Sequence, residues 1–237
     1  MIKQEDEAVA MRLHAEIVGR WPQITQPFHI TDMLAERKGF SWLGRLSDEV
    51  RDRFWRDYKT FLASVPVLGL ACVIDRPGYV ARGYLQKHGN TRWLLCRSAF
   101  DILIERAAKL ARLDERKLRV IFEADVGVNE TFKSYFHRLK AHGLGFDAAT
   151  SEKYQPLSQV QFAETLSTIE YKGKSSPLLQ IADSYVYAMA RGGYDRKFPI
   201  YRRLMDARRI TNFALPNEHI AQMGVKYYCF ELHRSTR

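Results

Sequence analysis

Cysteine is scarce in this 237-residue chain: Cys72, Cys96 and Cys229 lie far apart, odd in number and without a Cys-x-x-Cys pair. That excludes a disulfide framework and a zinc knuckle, and suits reduced core thiols in a cytoplasmic protein. Long apolar runs are missing as well. Nothing approaches the roughly 18 consecutive residues that a membrane span needs. The opening segment, Met1 to Ala10, is acidic and helix-like rather than basic and then greasy, so it does not read as a secretory signal. No Gly-rich loop precedes Lys-Ser/Thr, no Gly-x-Gly-x-x-Gly follows a strand, and no Gly-x-Ser-x-Gly elbow or His-Glu-x-x-His helix occurs. These absences set aside P-loop, dinucleotide, serine-hydrolase and zincin chemistry. His137 and His142, five apart on one helix, would not converge on a metal and read as surface residues.

Repeats, low-complexity tracts and linkers rich in Gly, Pro or Ser are also lacking. One domain over 1–237 is therefore expected, with a core over about 66–191 and a basic helix and strand over 195–233. Hydrophobic residues make up 46% and charged residues 27%, which leaves enough apolar material for a core and argues against disorder. The charge balance is lopsided: 37 Lys and Arg face 27 Asp and Glu, a net charge of +10. Such a surplus favours polyanionic partners, nucleic acid above all, because neutralised phosphates release their counterions.

Periodicity supplies the elements. Ala8, Met11, Ala15 and Val18 predict a helix over 4–20, ended at Trp21-Pro22 because the residue before proline leaves the α region. Phe28-His29-Ile30-Thr31-Asp32 follows as a loop. Ser47 is the expected N-cap of a helix with Val50, Phe54, Tyr58, Phe61 and Leu62 as its apolar stripe. The run Val67–Ile74 has strand length. Thr91 to Leu113 reads as a long helix with Leu94, Leu95, Ser98, Ile102, Leu103 and Ala107 inward. A strand at Leu118–Phe122, a helix from a cap at Asn129 to Gly143, and an alternating strand at Thr165–Tyr171 come next. A helix begins near Pro177 and should stop at Gly192-Gly193. Basic Pro199–Arg209 reads as a further helix, and Val225–Leu232 as a terminal strand. Strands alternating with helices call for an α/β sandwich.

The residues left for chemistry are acidic. Glu123 and Asp125 sit where the 118–122 strand runs out, the end that faces the ligand crevice in open α/β sheets. Loop acids paired with nearby Arg or Lys would look the same. Asp183 falls beside the stripe formed by Leu178, Ile181, Ala182, Tyr185, Val186 and Met189, at about 100° per residue. A carboxylate at a core margin needs a hydrogen bond, a cation or a metal; one at a solvated flank does not. Arg196, Lys197, Arg202, Arg203, Arg208 and Arg209, with Tyr194, Phe198 and Tyr201 interleaved, are candidates for a strand-binding surface. The alternative is an amphipathic helix whose aromatics face the core.

The segment from Ile169 to Asp183, Ile-Glu-Tyr-Lys-Gly-Lys-Ser-Ser-Pro-Leu-Leu-Gln-Ile-Ala-Asp, resembles the signature of the domain-of-unknown-function-3800 family: a strand, a short Lys-containing turn, and a helix reading Leu-Gln-Leu/Ile-Ala-Asp. Val120-Ile121-Phe122-Glu123 is similar to that family's central acidic strand, Phe28-His29-Ile30-Thr31-Asp32 to its Leu-His-x-x-Asp segment, and Val73-Ile74-Asp75 to the strand between them. The resemblance spans about residues 1–191. It implies an RNase H-like mixed sheet with helices on both faces, where carboxylates from the first strand, the fourth strand and the last helix gather around Mg²⁺ or Mn²⁺. Glu123 or Asp125 would then be the fourth-strand ligand and Asp183 the last-helix ligand. Hard oxygen donors suit such ions, which can activate water and steady the leaving oxygen of an in-line displacement.

The family's opening strand, ending Asp-Glu-Ser/Ala-Gly, has no counterpart: Asp6-Glu7 lies in the first helix and does not match. Either the true start lies upstream or this member lacks the first hairpin. Three expectations follow from the resemblance and the charge. The chain is a divalent-metal-dependent nuclease or phosphoryl-transfer protein, a catalytically incomplete RNase H-like binding module, or a subunit whose sheet is completed by a second copy or a partner chain.

Overall fold

The computed structural model describes residues 1–88, 92–145 and 155–231. Its helices and strands, in chain order, begin with α1 (Glu7–Arg20), α2 (Ile30–Leu34), α3 (Asp48–Ser64), β1 (Cys72–Ile74), α4 (Arg76–Ala81), α5 (Tyr84–His88) and α6 (Arg92–Leu113). There follow β2 (Leu118–Glu123), α7 (Asn129–His142), α8 (Gln159–Thr165), β3 (Leu166–Lys172), α9 (Pro177–Tyr194) and α10 (Pro199–Asp206). Last come α11 (Thr211–Ala214), α12 (Asn217–Met223) and β4 (Lys226–Tyr228). The class is α/β. Where one domain over 1–237 is expected, the chain divides into two compact units: Met1–Gly69 with Lys172–Ala214, and Leu70–Tyr171 with Leu215–Arg237.

The first unit is helical. Helix α1 packs on α3 and α9, and α10 packs on the same two. Ala10 and Ile17 are the buried residues of α1, whereas Ala8, Met11 and Ala15 of the expected stripe are exposed. On α3 the expected Phe54, Tyr58, Phe61 and Leu62 are buried, while Val50 is exposed. Phe54 meets the rings of Trp21, Trp42, Trp55 and Tyr58, at centroid distances of 5.3, 5.3, 5.3 and 6.0 Å. Burying one such ring contributes about 1.5–3 kcal/mol. Ser47 holds the N-cap position of α3 without a side-chain cap bond. Helix α9 does not stop at Gly192-Gly193 but continues to Tyr194. The reason is packing: the Tyr201 ring of α10 lies directly on Gly192, where a Cβ would overlap it. Helix α10 ends at Asp206, short of the expected Arg209, and Arg208 has φ +54°.

The second unit is built around α6, which packs against β1, β2, α7, α8 and α12. From Ile104 to Ala111 every residue of α6 is buried, the expected Ala107 among them, whereas the expected Leu95, Ser98, Ile102 and Leu103 are only half-buried. The side chain of Leu94 lies outside the described residues, as does Thr91. Four buried residues of α6 are charged, and each is partnered. Arg138 donates to Asp101 Oδ2 at 2.5 Å. Lys109 Nζ and Glu105 Oε1 are 2.9 Å apart. Arg106 donates to the Gly224 and Ala221 carbonyls at 2.5 and 2.9 Å, satisfying the end of α12. Ile104, Ala108, Phe136, Leu139, Phe162 and Leu166 form the apolar centre.

The described strands do not merge into the expected single mixed sheet. They form two pairs, β1 with β4 and β2 with β3. Strand β1 runs parallel to β4, with Cys72, Val73 and Ile74 opposite Lys226, Tyr227 and Tyr228. The apolar run Val67–Ile74 is strand only over its last three residues; Val67 and Gly69 make isolated bridges to Ile2 and Ile210. An apolar run records burial, and burial alone does not supply a pairing partner. Strand β4 is likewise shorter than Val225–Leu232, of which Leu232 is outside the described residues. Helix α8 was not expected, although Ser158 and Gln161 form a full capping box at its start.

Candidate functional site

The two acidic regions lie in different units. Glu123 closes β2, and Asp125 sits in the turn that leads to α7; both are exposed. The Asp125 carboxylate accepts from the Gly127 N–H at 2.9 Å, and the Asp125 N–H donates to Asn129 Oδ1 at 2.9 Å. Asn129 is the first residue of α7 rather than its cap, and Val128 holds the N-cap position. Asp125 thus shapes the turn after β2.

Asp183, in the first unit, is half-buried on α9. Its Oδ2 accepts from the Ile30 N–H at 3.1 Å. Residues 30–34 are not loop but the short helix α2, so Asp183 satisfies one of that helix's orphan N–H groups. One turn earlier on the same face lies Gln180, which sequence reasoning did not single out. Its Oε1 accepts from the Phe28 N–H and from His14 Nε2, both at 2.9 Å. Its Nε2 donates to the Lys174 and Ser175 carbonyls at 3.2 and 3.3 Å. All four hydrogen-bonding positions of the amide are filled, which fixes its orientation and makes His14 Nε2 a donor. Burial lowers the His14 pKa, and the Gln180 bond opposes that shift. The i, i+3 spacing of Gln180 and Asp183 was the available signal. The Gln-Ile-Ala-Asp face therefore grips the Phe28–Asp32 segment: two of the sequence motifs meet.

Asp32, at the far end of that segment, is 5% exposed. Arg37 Nε donates to its Oδ1 at 2.6 Å, and Lys38 Nζ to its Oδ2 at 2.9 Å. His29 Nδ1 lies 2.9 Å from Oδ2. Bonds from Lys38, Arg37 and His29 outweigh desolvation and hold the Asp32 carboxyl well below the usual carboxylate range. The sign is that of a depressed acid: its contribution to stability is full above about pH 4, the ordinary Asp value, and is lost as pH falls toward the folded-state value. An Asp32→Asn variant is expected to melt lower than the native protein at pH 7, with the gap narrowing below about pH 4. Thermal melts at a series of pH values check this; a gap that is constant from pH 7 to pH 2 would contradict it.

The basic candidates separate into two groups. Arg208 Nε donates to the Phe213 carbonyl, and Arg209 to the Ala63 and Ser64 carbonyls at the end of α3. These two hold backbone. Arg196 and Lys197, in the turn before α10, and Arg202 and Arg203, on it, are exposed, and among the described residues none of the four pairs with a carboxylate. Asp195, the acid nearest Arg196 and Lys197 in sequence, is turned to the Lys197 N–H at 2.8 Å. Asp206, the acid nearest Arg202 and Arg203, is exposed at the end of α10. Of the interleaved aromatics, Tyr201 is buried, Phe198 lies beneath Arg191 with 5.8 Å from guanidinium carbon to ring centroid, and Tyr194 is exposed.

Among the described residues no three His, Cys, Asp or Glu side chains come together as metal ligands. Both Asp32 oxygens are already engaged by cations, and one Asp183 oxygen by a backbone N–H. This donor set does not fit a self-contained Mg²⁺ or Mn²⁺ centre, and no hydrolytic step is assigned to it. Among the same residues no helix is long and apolar enough to cross a membrane.

No family model and no solved structure matches the chain. Its sequence is 30% identical over 217 residues to the uncharacterized protein y4pM of Sinorhizobium fredii (strain NBRC 101917 / NGR234), a match spanning 91% of this chain and 78% of that protein. With that identity over that span, the chain belongs to the same family as y4pM.

Proposed function

We propose that this protein is a nucleic-acid-binding module that tracks the phosphate backbone. The observation that carries the reading is the set of four exposed, unpaired cations on and before α10, Arg196, Lys197, Arg202 and Arg203, in a chain of net charge +10. Buried Ile200, Tyr201 and Leu204 anchor one side of α10, so Arg202 and Arg203 project from the other. Cations that neutralise no acid of their own are free to displace counterions from phosphates. Exposed Tyr194 adds a face on which a base can stack. The resemblance of the Leu-Gln-Ile-Ala-Asp helix to the domain-of-unknown-function-3800 family, with its RNase H-like lineage, supports the same class of ligand. Of the expectations that lineage raises, the binding module without a complete metal centre agrees best with the donors present.

The test is fluorescence anisotropy with a labelled single-stranded oligonucleotide. Arg202→Ala combined with Arg203→Ala is expected to weaken binding about tenfold or more at low salt. It should also flatten the slope of log K against log salt by about 1.4, near 0.7 per lost contact on a single strand. An isotherm unchanged by the double substitution would reject this surface.

A further inference from the structure

The charge cluster around Asp32 is over-supplied for an internal tie. One carboxylate needs one cation, yet Arg37 and Lys38 both point at it and His29 joins them. Side chains of neighbouring residues ordinarily diverge. Here Glu36 and Lys38 adopt left-handed backbone conformations, φ +50° and +52°, which are unfavourable for residues other than glycine. Those turns bring the Arg37 and Lys38 heads onto one buried anchor, and conformational cost of this kind collects at binding and catalytic sites.

What the anchor leaves over is a set of donors. Arg37 is committed only through Nε, so neither Nη group has a partner among the described residues. Lys38 Nζ makes one bond of three. His29 Nδ1 faces Asp32 and Thr31, and its Nε2, an acceptor in the neutral ring, makes no bond among the described residues. The side chains of His29, Arg37 and Lys38 are 41%, 58% and 69% exposed, so the spare donors of Arg37 and Lys38 reach solvent from a fixed base. Glu36, the nearest acid in sequence, faces Arg51 at 3.8 Å, and Asp183 is turned to the Ile30 N–H.

We infer that His29, Arg37 and Lys38, held by Asp32, form a binding site for a phosphate-monoester group. A guanidinium edge and an ammonium match the several terminal oxygens of such a group. The charge is complementary in sign: Arg37, Lys38 and Asp32 sum to +1, against about −1.5 to −2 for a monoester at neutral pH. The site uses none of the α10 cations and stands whether or not they bind a strand. The phosphate could be a small solute or the end of a nucleic-acid chain.

Titration calorimetry of the native protein with inorganic phosphate, and anisotropy with 5′-phosphorylated and 5′-hydroxyl forms of one oligonucleotide, separate these sources. Expected is binding of inorganic phosphate, a preference for the 5′-phosphorylated strand, or both. Each should be lost or reduced at least tenfold in Lys38→Gln and in Arg37→Gln. Both variants keep one cation on Asp32, and their thermal midpoints confirm folding. Arg202→Ala with Arg203→Ala should leave the phosphate heat and the 5′-phosphate preference unchanged. If neither strand binds while phosphate still does, the α10 reading fails and this one stands. The inference is overturned if the native protein neither binds phosphate nor distinguishes the two strands, or if Lys38→Gln and Arg37→Gln keep these properties.

Discussion

Replacing Gln180 by Leu is expected to cost about 3 kcal/mol of stability, because the change leaves buried polar groups unpaired at about 1–3 kcal/mol each. The Gln180 amide joins four partners: the Phe28 N–H, His14 Nε2, and the Lys174 and Ser175 carbonyls. Leucine would fill a similar volume and satisfy none of them. The Phe28 N–H suffers most, since it is buried and Gln180 Oε1 is its acceptor. Losing this bond also loosens the grip of α9 on the Phe28–Asp32 segment. Chemical denaturation should show a lower midpoint with an unchanged slope, and amide exchange at Phe28 should accelerate. A midpoint within experimental error of the native one would show that the Gln180 network is incidental.

Gly78→Ala is the second substitution with a large expected effect, about 3 kcal/mol or more. Gly78 is buried in α4, and its N–H donates to the capping carboxylate of Asp75 at 2.7 Å. Its φ is not left-handed; the glycine is required by close approach. A Cβ at this position would overlap the backbone carbonyl oxygen of Cys229. Backbone cannot swing away as a side-chain tip can, and Cys229 is constrained further by a left-handed φ of +62° beside β4. Relief would require α4 to separate from the chain after β4. The check is the thermal midpoint of Gly78→Ala beside that of Gly19→Ala, a helical site with nothing within 4 Å of the added methyl. Near-equal midpoints would contradict the packing described here.

Helix starts and stops were legible in the sequence where local chemistry sets them. Pro177 opens α9, Trp21-Pro22 closes α1, and Gly143, with φ +69°, follows α7. The α3 stripe was legible because four large apolar residues recur at helical spacing. Tertiary contacts overrode local signals elsewhere. Gly192-Gly193 reads as a stop, but the two residues continue α9 because the Tyr201 ring occupies the space beside Gly192. On α1 the apolar residues Ala8, Met11 and Ala15 have the right period, yet Ala10 and Ile17 are buried. On α6 charged residues are buried with their partners, which a hydropathy pattern cannot show.

The candidate site was legible in part. Asp183 at the margin of a buried stripe called for a hydrogen-bond partner, and the Ile30 N–H is one. The convergence of Arg37 and Lys38 on Asp32 depends on two positive φ values that no residue type there announces. The unpaired cations on and before α10 were named from composition alone, and only the folded contacts separate them from Arg208 and Arg209, whose guanidinium groups hold backbone carbonyls.

The reading of this protein as a nucleic-acid-binding module rests on Arg196, Lys197, Arg202 and Arg203 engaging backbone phosphates. It is tested most directly by titrating the native protein into a labelled single-stranded oligonucleotide at several salt concentrations. A straight line of log K against log salt is expected, with a slope steeper than about −1.4, set by at least two phosphate contacts at about 0.7 each. Affinity that does not change with salt, or no binding at low ionic strength, would contradict it.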